Sequence, residues 1–186
     1  MAITEDEMTK RKEFLRQTAL FNAIGAAFQR APIYRYGQGN HGKEQLKRDL
    51  EQHLRRIERQ YHRTISSEQH FQTLNKVAHD LSERHFLILK NGHFRIGIAQ
   101  KAVNIYLKLL WCYGWILEPP HCPIDSIVLA EAGDTRTKWT RMTDVEAYRR
   151  AIKNIRAHIR HIGSNLSLSE WELEIWNKRR ETLQSQ

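Results

Sequence analysis

The stretch that decides the fold class is Ile98-Ala99-Gln100-Lys101-Ala102-Val103-Asn104-Ile105-Tyr106-Leu107-Lys108-Leu109-Leu110-Trp111. It is apolar on every face of a helical wheel, so it predicts a helix at the centre of the molecule rather than on its surface. Around it the apolar residues recur at helical spacing nearly everywhere. The one run with any alternation is Phe86 to Gly97, broken by a turn signal at Asn91-Gly92. The expectation is an all-α protein: a compact multi-helix domain over 1–186, or two helical lobes (1–30 with 140–186, and 43–135) flanking a cleft.

Working outward, a helix is predicted from Glu5 to Gln29, with Glu5, Asp6 and Glu7 in its first turn facing the positive end of the dipole. Its apolar positions include Phe14, Ala19, Phe21, Ile24 and Phe28. Ala31 to Gly42, with Pro32 and three glycines, reads as a loop and as the hinge between any lobes. Lys43 to Arg63 carries Leu46, Leu50, Leu54, Ile57 and Tyr61 as a narrow stripe on a highly charged helix, and Ser66-x-x-Gln69 resembles a capping box. Glu118-Pro119-Pro120-His121-Cys122-Pro123 forbids helix, after which Asp125 stands as the N-cap of a short one. Helices over 144–162 and 169–180 close the chain, the latter using Trp171 and Trp176 to seal itself onto the core.

The chain has 186 residues with 30 Lys+Arg against 21 Asp+Glu, a formal charge of +9. That length and composition suit one domain and exclude collagen-like, disulfide-scaffold and disordered classes. Nothing in it reads as a transmembrane helix or a secretory signal, which suggests the cytoplasm. Cys112 and Cys122 read as free thiols, and His121 beside Cys122 lacks the spaced partners of a zinc site, so no metal and no cofactor is expected. The positive surplus favours a polyanion partner. Arg149, Arg150, Lys153, Arg156 and Arg160 form one basic helix face, and the Lys43 to Arg63 helix offers another, although its own carboxylates at i, i+4 can neutralise it.

The chemistry concentrates in Arg95-Ile96-Gly97-Ile98-Ala99-Gln100-Lys101 and Pro123-Ile124-Asp125. Gly97 and the small Ala99 would leave helix-start amides open to a phosphate. Lys101 is unusual on an apolar helix, because a buried ammonium without compensation is costly and such an amine responds by lowering its pKa, which makes a nucleophile. The bland alternative is a lysine that reaches the surface or pairs with Glu118 or Asp125, with Asp125 a cap and nothing more.

These two segments resemble the helix-hairpin-helix DNA glycosylase superfamily, its endonuclease III-like and archaeal 8-oxoguanine glycosylase-like members, over Arg95 to Val128. Ala99 and Ile96 depart from the family's usual glycine and proline. The resemblance implies a helix-hairpin-helix element and duplex DNA with a modified base as partner. It also implies Lys101 as Schiff-base nucleophile and Asp125 as its activating or charge-stabilising acid, with Arg95, Gly97, Ala99 and Gln100 in the phosphate-binding hairpin. Two readings stay open beside it: a non-enzymatic helical nucleic-acid-binding module, and a protein-interaction or regulatory subunit.

Overall fold

A computed structural model describes residues 4–29, 31–37 and 39–184, with side chains to 181; the outer bounds of the expected domain, 1 and 186, lie outside them. Seven α-helices account for the fold: α1 Glu5–Phe28, α2 Asn40–Glu58, α3 Ser67–His85, α4 Ile96–Cys112, α5 Ser126–Glu131, α6 Val145–His161 and α7 Leu168–Gln184. There is no strand among the described residues. The protein is all-α, as the apolar periodicity predicts.

α4 is the axis. Ile98, Ala99, Ala102, Val103, Tyr106, Leu107 and Leu110 are fully buried, and α1, α2, α3 and α6 all pack against it. α1 lies along it through Ala19, Leu20, Ala23 and Ala27. Three alanines four residues apart leave only methyl groups between the two backbones, so the helices can approach closely. That choice of face turns Phe14 and Phe21, both expected among the apolar contacts, outward: they are 70% and 78% exposed. A single apolar core runs from Ala19 to Ile175, and the two groupings expected as lobes both contribute to it.

The helix starts follow local rules. Thr4 with Glu7 and Ser66 with Gln69 form reciprocal capping boxes at α1 and α3. Asp125 caps α5 by accepting from the Ile127 and Val128 amides at 2.9 and 3.0 Å. The alternating run at Phe86 to Gly97 becomes a 3-10 turn and one isolated antiparallel bridge, Leu89 to Tyr34. The Ile33 to Arg35 backbone supplies that pairing through Arg35 N–H to Ile88 and Lys90 N–H to Ile33. The loop expected to be a hinge is therefore tied to the α3–α4 connection.

Much of the charge on α2 is neutralised locally. Arg55 bonds Glu51 and, across the helix pair, Glu13, while Arg16 bonds the buried Glu58, which also accepts from the Tyr106 hydroxyl at 2.7 Å. This side of the molecule is held by ion pairs, in keeping with a helix whose cations are neutralised by carboxylates.

Gly97 has a packing role. An alanine Cβ there would lie 1.8 Å from the Trp139 carbonyl oxygen, so the 3-10 turn Trp139–Arg141 can rest on the first turn of α4 only because residue 97 has no side chain. Gly97→Ala is expected to lower stability by about 2–3 kcal/mol through forced displacement of this turn. Chemical denaturation followed by tryptophan emission would show both the loss and a shift in the native Trp139 signal. An unchanged midpoint would contradict the assignment.

Candidate active site

α4 presents Lys101 and Lys108, two turns apart, to one cleft of about 580 Å³. The opposite walls come from α1, the Pro123–Ile127 segment, Trp139 and α7. What brings Asp125 to Lys101 is Gln100, fully buried beside it on α4. Its side-chain amide donates to the Ile124 carbonyl at 2.7 Å, and its carbonyl oxygen accepts the Ile124 amide at 3.0 Å. The proline-stiffened return loop is thus clamped to α4 by both faces of one peptide group.

The Lys101 Nζ donates to Asp125 Oδ2 at 2.7 Å, with side chains only 8% and 13% exposed. Asp125 divides its oxygens: Oδ1 takes the two α5 amides and Oδ2 takes the lysine. Burial pushes its carboxyl up, but the adjacent Lys101 ammonium and the two amides outweigh burial and hold it below the usual carboxylate value. The indole of Trp139 lies near the same ammonium, 5.9 Å from Nζ to ring centre.

A second pair occupies the same cleft. Lys108 Nζ is 2.6 Å from Glu172 Oε2 on α7, and the Glu172 side chain is 1% exposed. Neither Glu172 oxygen has a well-directed hydrogen bond, so the contact is electrostatic. Burial raises the Glu172 carboxyl above its ordinary value against the pull of Lys108. The Lys108 ammonium also lies over Trp176, 5.6 Å from its ring centre. Two lysine–carboxylate pairs with their charges taken out of water are expensive to maintain, and such groups concentrate where chemistry or binding uses them.

The structure brings Lys101 and Asp125 together and places the four hairpin residues elsewhere. Gly97 N–H donates to the Met142 carbonyl, and the Ile98 and Ala99 amides return to Arg95 O. Gly97, Ala99 and Gln100 are buried. Arg95 is the N-cap residue of α4, and its guanidinium bonds Pro32 O at 2.7 Å. The expected open amides are already used inside the protein, because the Trp139–Met142 turn covers the start of α4. A phosphate cannot reach them. Gly97, Ala99 and Gln100 serve packing and loop positioning instead.

Lys108 and Glu172 escaped the sequence reading, although Lys108 is a second lysine on the apolar helix at the i+7 position that shares a face with Lys101. Trp171 and Trp176 are the residues expected to seal α7 onto the core. Trp176 is 40% exposed and lines the cleft, Trp139 lines it while buried in the core, and Trp171 is buried edge-on to His158.

His121 packs in the core, 2.6 Å from Ser67 Oγ through Nε2. Cys122 is a buried free thiol whose pKa burial pushes up, and Cys112 is an exposed one. Among the described residues no cluster of His, Cys, Asp and Glu could hold a metal ion, and no helix is long and apolar enough to cross a membrane. Compared with protein-family models, curated proteins and solved structures, the chain matches none.

Proposed function

We propose that the chain binds duplex DNA, receives one extruded base in the α1–α4–α7 cleft and releases it, acting as a DNA glycosylase with Lys101 as nucleophile. The observation that carries this reading is the 2.7 Å contact between the Lys101 amine and the Asp125 carboxylate inside one solvent-reachable cleft. The cleft has the size of a small-molecule site, with apolar walls of Ile105, Leu109, Trp139 and Trp176 and a few convergent charges.

The chemistry balances with the groups present. Lys101 must shed a proton before it can attack, and Asp125 Oδ2 is within transfer distance. The free amine then bonds to C1′ of the sugar. The glycosidic bond breaks, its electron pair leaves with the base nitrogen, and the proton that Asp125 took from Lys101 passes to the departing base. Ring opening of the sugar gives a protonated Schiff base on Lys101, released by water. Because Asp125 is held below its usual value, the resting pair is ionised and proton transfer is uphill until a bound nucleotide displaces water. Returned to its carboxylate form, Asp125 faces the positive charge developing on the sugar.

Both alternatives assign Lys101 and Asp125 a purely structural pairing. The test is to incubate the protein with a panel of duplexes, each carrying one modified base or one aldehydic abasic site, in the presence of sodium borohydride. Expected is a covalent protein–DNA product, with free base released from at least one base-lesion duplex and none from undamaged DNA. Equal binding to damaged and undamaged duplexes with no reducible product would leave a helical binding module. Affinity that does not fall with salt would remove the DNA role altogether.

A further inference from the structure

On a different face, α6 and the start of α3 enclose a depression of about 320 Å³ whose lining includes Ser67, Glu68, Arg149, Lys153, Arg156 and Arg160. Arg149 is already spoken for: it bonds Glu68 at 2.7 Å and lies over the Phe71 ring at 4.0 Å. Lys153, Arg156 and Arg160, at i, i+3 and i+7 on α6, have no carboxylate partner among the described residues. Neighbouring like charges on one helix face repel, so this cluster lacks the counter-charge that its spacing calls for.

The hydroxyl of Ser67 points to what would supply it. Asn104 Nδ2 donates to the Tyr148 hydroxyl oxygen at 2.9 Å, and the fully buried Tyr148 O–H has no acceptor among the described residues other than His121 Nδ1 at 3.1 Å, so we assign that proton to His121. Burial, reinforced by His70, Arg156 and Arg149, keeps His121 neutral. Its single ring proton is therefore on Nε2 and is donated to Ser67 Oγ at 2.6 Å. Arg156 also donates to that oxygen at 3.3 Å and to the Pro120 carbonyl at 3.4 Å. With both lone pairs of Oγ occupied, Ser67 has one hydrogen-bonding capacity left, its own O–H, and no acceptor for it among the described residues. A donor without an acceptor beside three cations without an anion is one half of an oxyanion site.

We infer that Ser67, Lys153, Arg156 and Arg160 hold a phosphate oxyanion, at a site separate from the Lys101 cleft. A phosphate brings acceptor oxygens for the serine O–H and the Arg156 guanidinium together with charge for the cluster. The chemistry is the same for a backbone phosphate of nucleic acid and for free inorganic phosphate, and the test separates these sources. It does not depend on base release, because it uses undamaged duplex and chemistry-independent readouts.

The protein, Ser67→Ala, Arg156→Gln and the double variant Lys153→Gln/Arg160→Gln are compared in two arms: affinity for an undamaged duplex across a salt series, and stabilisation against heat by inorganic phosphate with chloride at matched ionic strength as control. Lys153 and Arg160 are exposed and make no internal ion pair, so the double variant folds even if Arg156→Gln weakens the Pro120 contact. A backbone phosphate at this site predicts that the double variant binds duplex several-fold more weakly, with a salt slope shallower by about two. A free-phosphate site predicts phosphate-specific stabilisation, lost in Ser67→Ala and in the double variant, with duplex affinity unchanged. If the variants match the parent in both arms, the inference is overturned, whatever the borohydride experiment shows.

Discussion

Lys101→Gln is expected to abolish borohydride trapping and to slow base release by roughly a thousandfold or more, the scale on which removal of a covalent nucleophile acts. Glutamine is the informative substitution because its amide can still donate to Asp125 Oδ2, which Lys101 now does at 2.7 Å. The carboxylate keeps a partner and also its two α5 amides. What disappears is the amine. Duplex affinity should change little, since one buried residue 8% exposed at its side chain contributes little to phosphate contacts. A structural pairing predicts no reaction to lose; the loss of stability from breaking a buried pair, up to about 3–5 kcal/mol, is expected on either reading. Measuring the thermal midpoint, duplex affinity and trapping yield on the same preparation separates the two.

Acidification from pH 7 toward pH 5 is expected to destabilise the fold steeply, before the carboxylates of Asp49, Glu58 and Asp125 titrate. His70 and His121 share the interior between α3, α6 and the return loop, with ring centres 4.6 Å apart. Tyr61, Phe71, Tyr148, Ser67 and Asn104 surround them, and Arg149 and Arg156 are the nearest cations. Burial pulls His70 down to about 3, only partly opposed by Asn104. Burial also pulls His121 far below its ordinary value, helped by His70, Arg156 and Arg149. Both pKa values are depressed in the folded state. The stability they contribute is therefore fully present above the unfolded value of 6.5 and is lost as pH falls from there toward the folded values.

Two protons taken up only by the unfolded chain give a slope of about 3 kcal/mol per pH unit below that point. Over a unit and a half this comes to about 4 kcal/mol, close to the lower end of the roughly 5–15 kcal/mol that holds a typical domain together. Asp49, Glu58 and Asp125 are held low, so their stabilisation is lost only on further acidification, below the ordinary carboxylate range. Glu172, held high, contributes in the opposite direction: its stabilisation is present at low pH and lost as pH rises, a partial offset. His121→Gln, neutral at every pH and able to both donate and accept, should roughly halve the slope between pH 6.5 and 5 in urea unfolding. A slope identical to the parent's would mean that the His121 ring does not govern acid stability.

The parts of this structure that were legible in the sequence are those set by local chemistry. An apolar wheel announces α4, Ser66 and Gln69 announce the start of α3, and Asp125 after three prolines announces an N-cap. Lys101 was legible because a lysine among apolar neighbours needs an explanation. Residues whose role depends on distant partners were not. Gly97 reads as an opening for a phosphate until Trp139, from another part of the chain, is seen to occupy the space over it. Phe14 and Phe21 look like core until the alanines beside them are seen to be what α4 packs against. Glu172, flanked by Trp171 and Leu173, gives no sign that it meets Lys108 across the cleft. The ring nitrogens of His121 acquire meaning only when Tyr148 and Ser67 fix its tautomer.

Lys108 makes the central claim sharp, because the cleft holds two primary amines, each beside its own carboxylate. Only the one clamped to the Pro123–Asp125 loop is assigned the attack on C1′. The decisive measurement is to digest the borohydride-reduced protein–DNA product and locate the modified residue by tandem mass spectrometry. A reduced deoxyribose adduct on Lys101 is the predicted result. An adduct on Lys108 or on any surface amine, with Lys101 unmodified, would contradict the account.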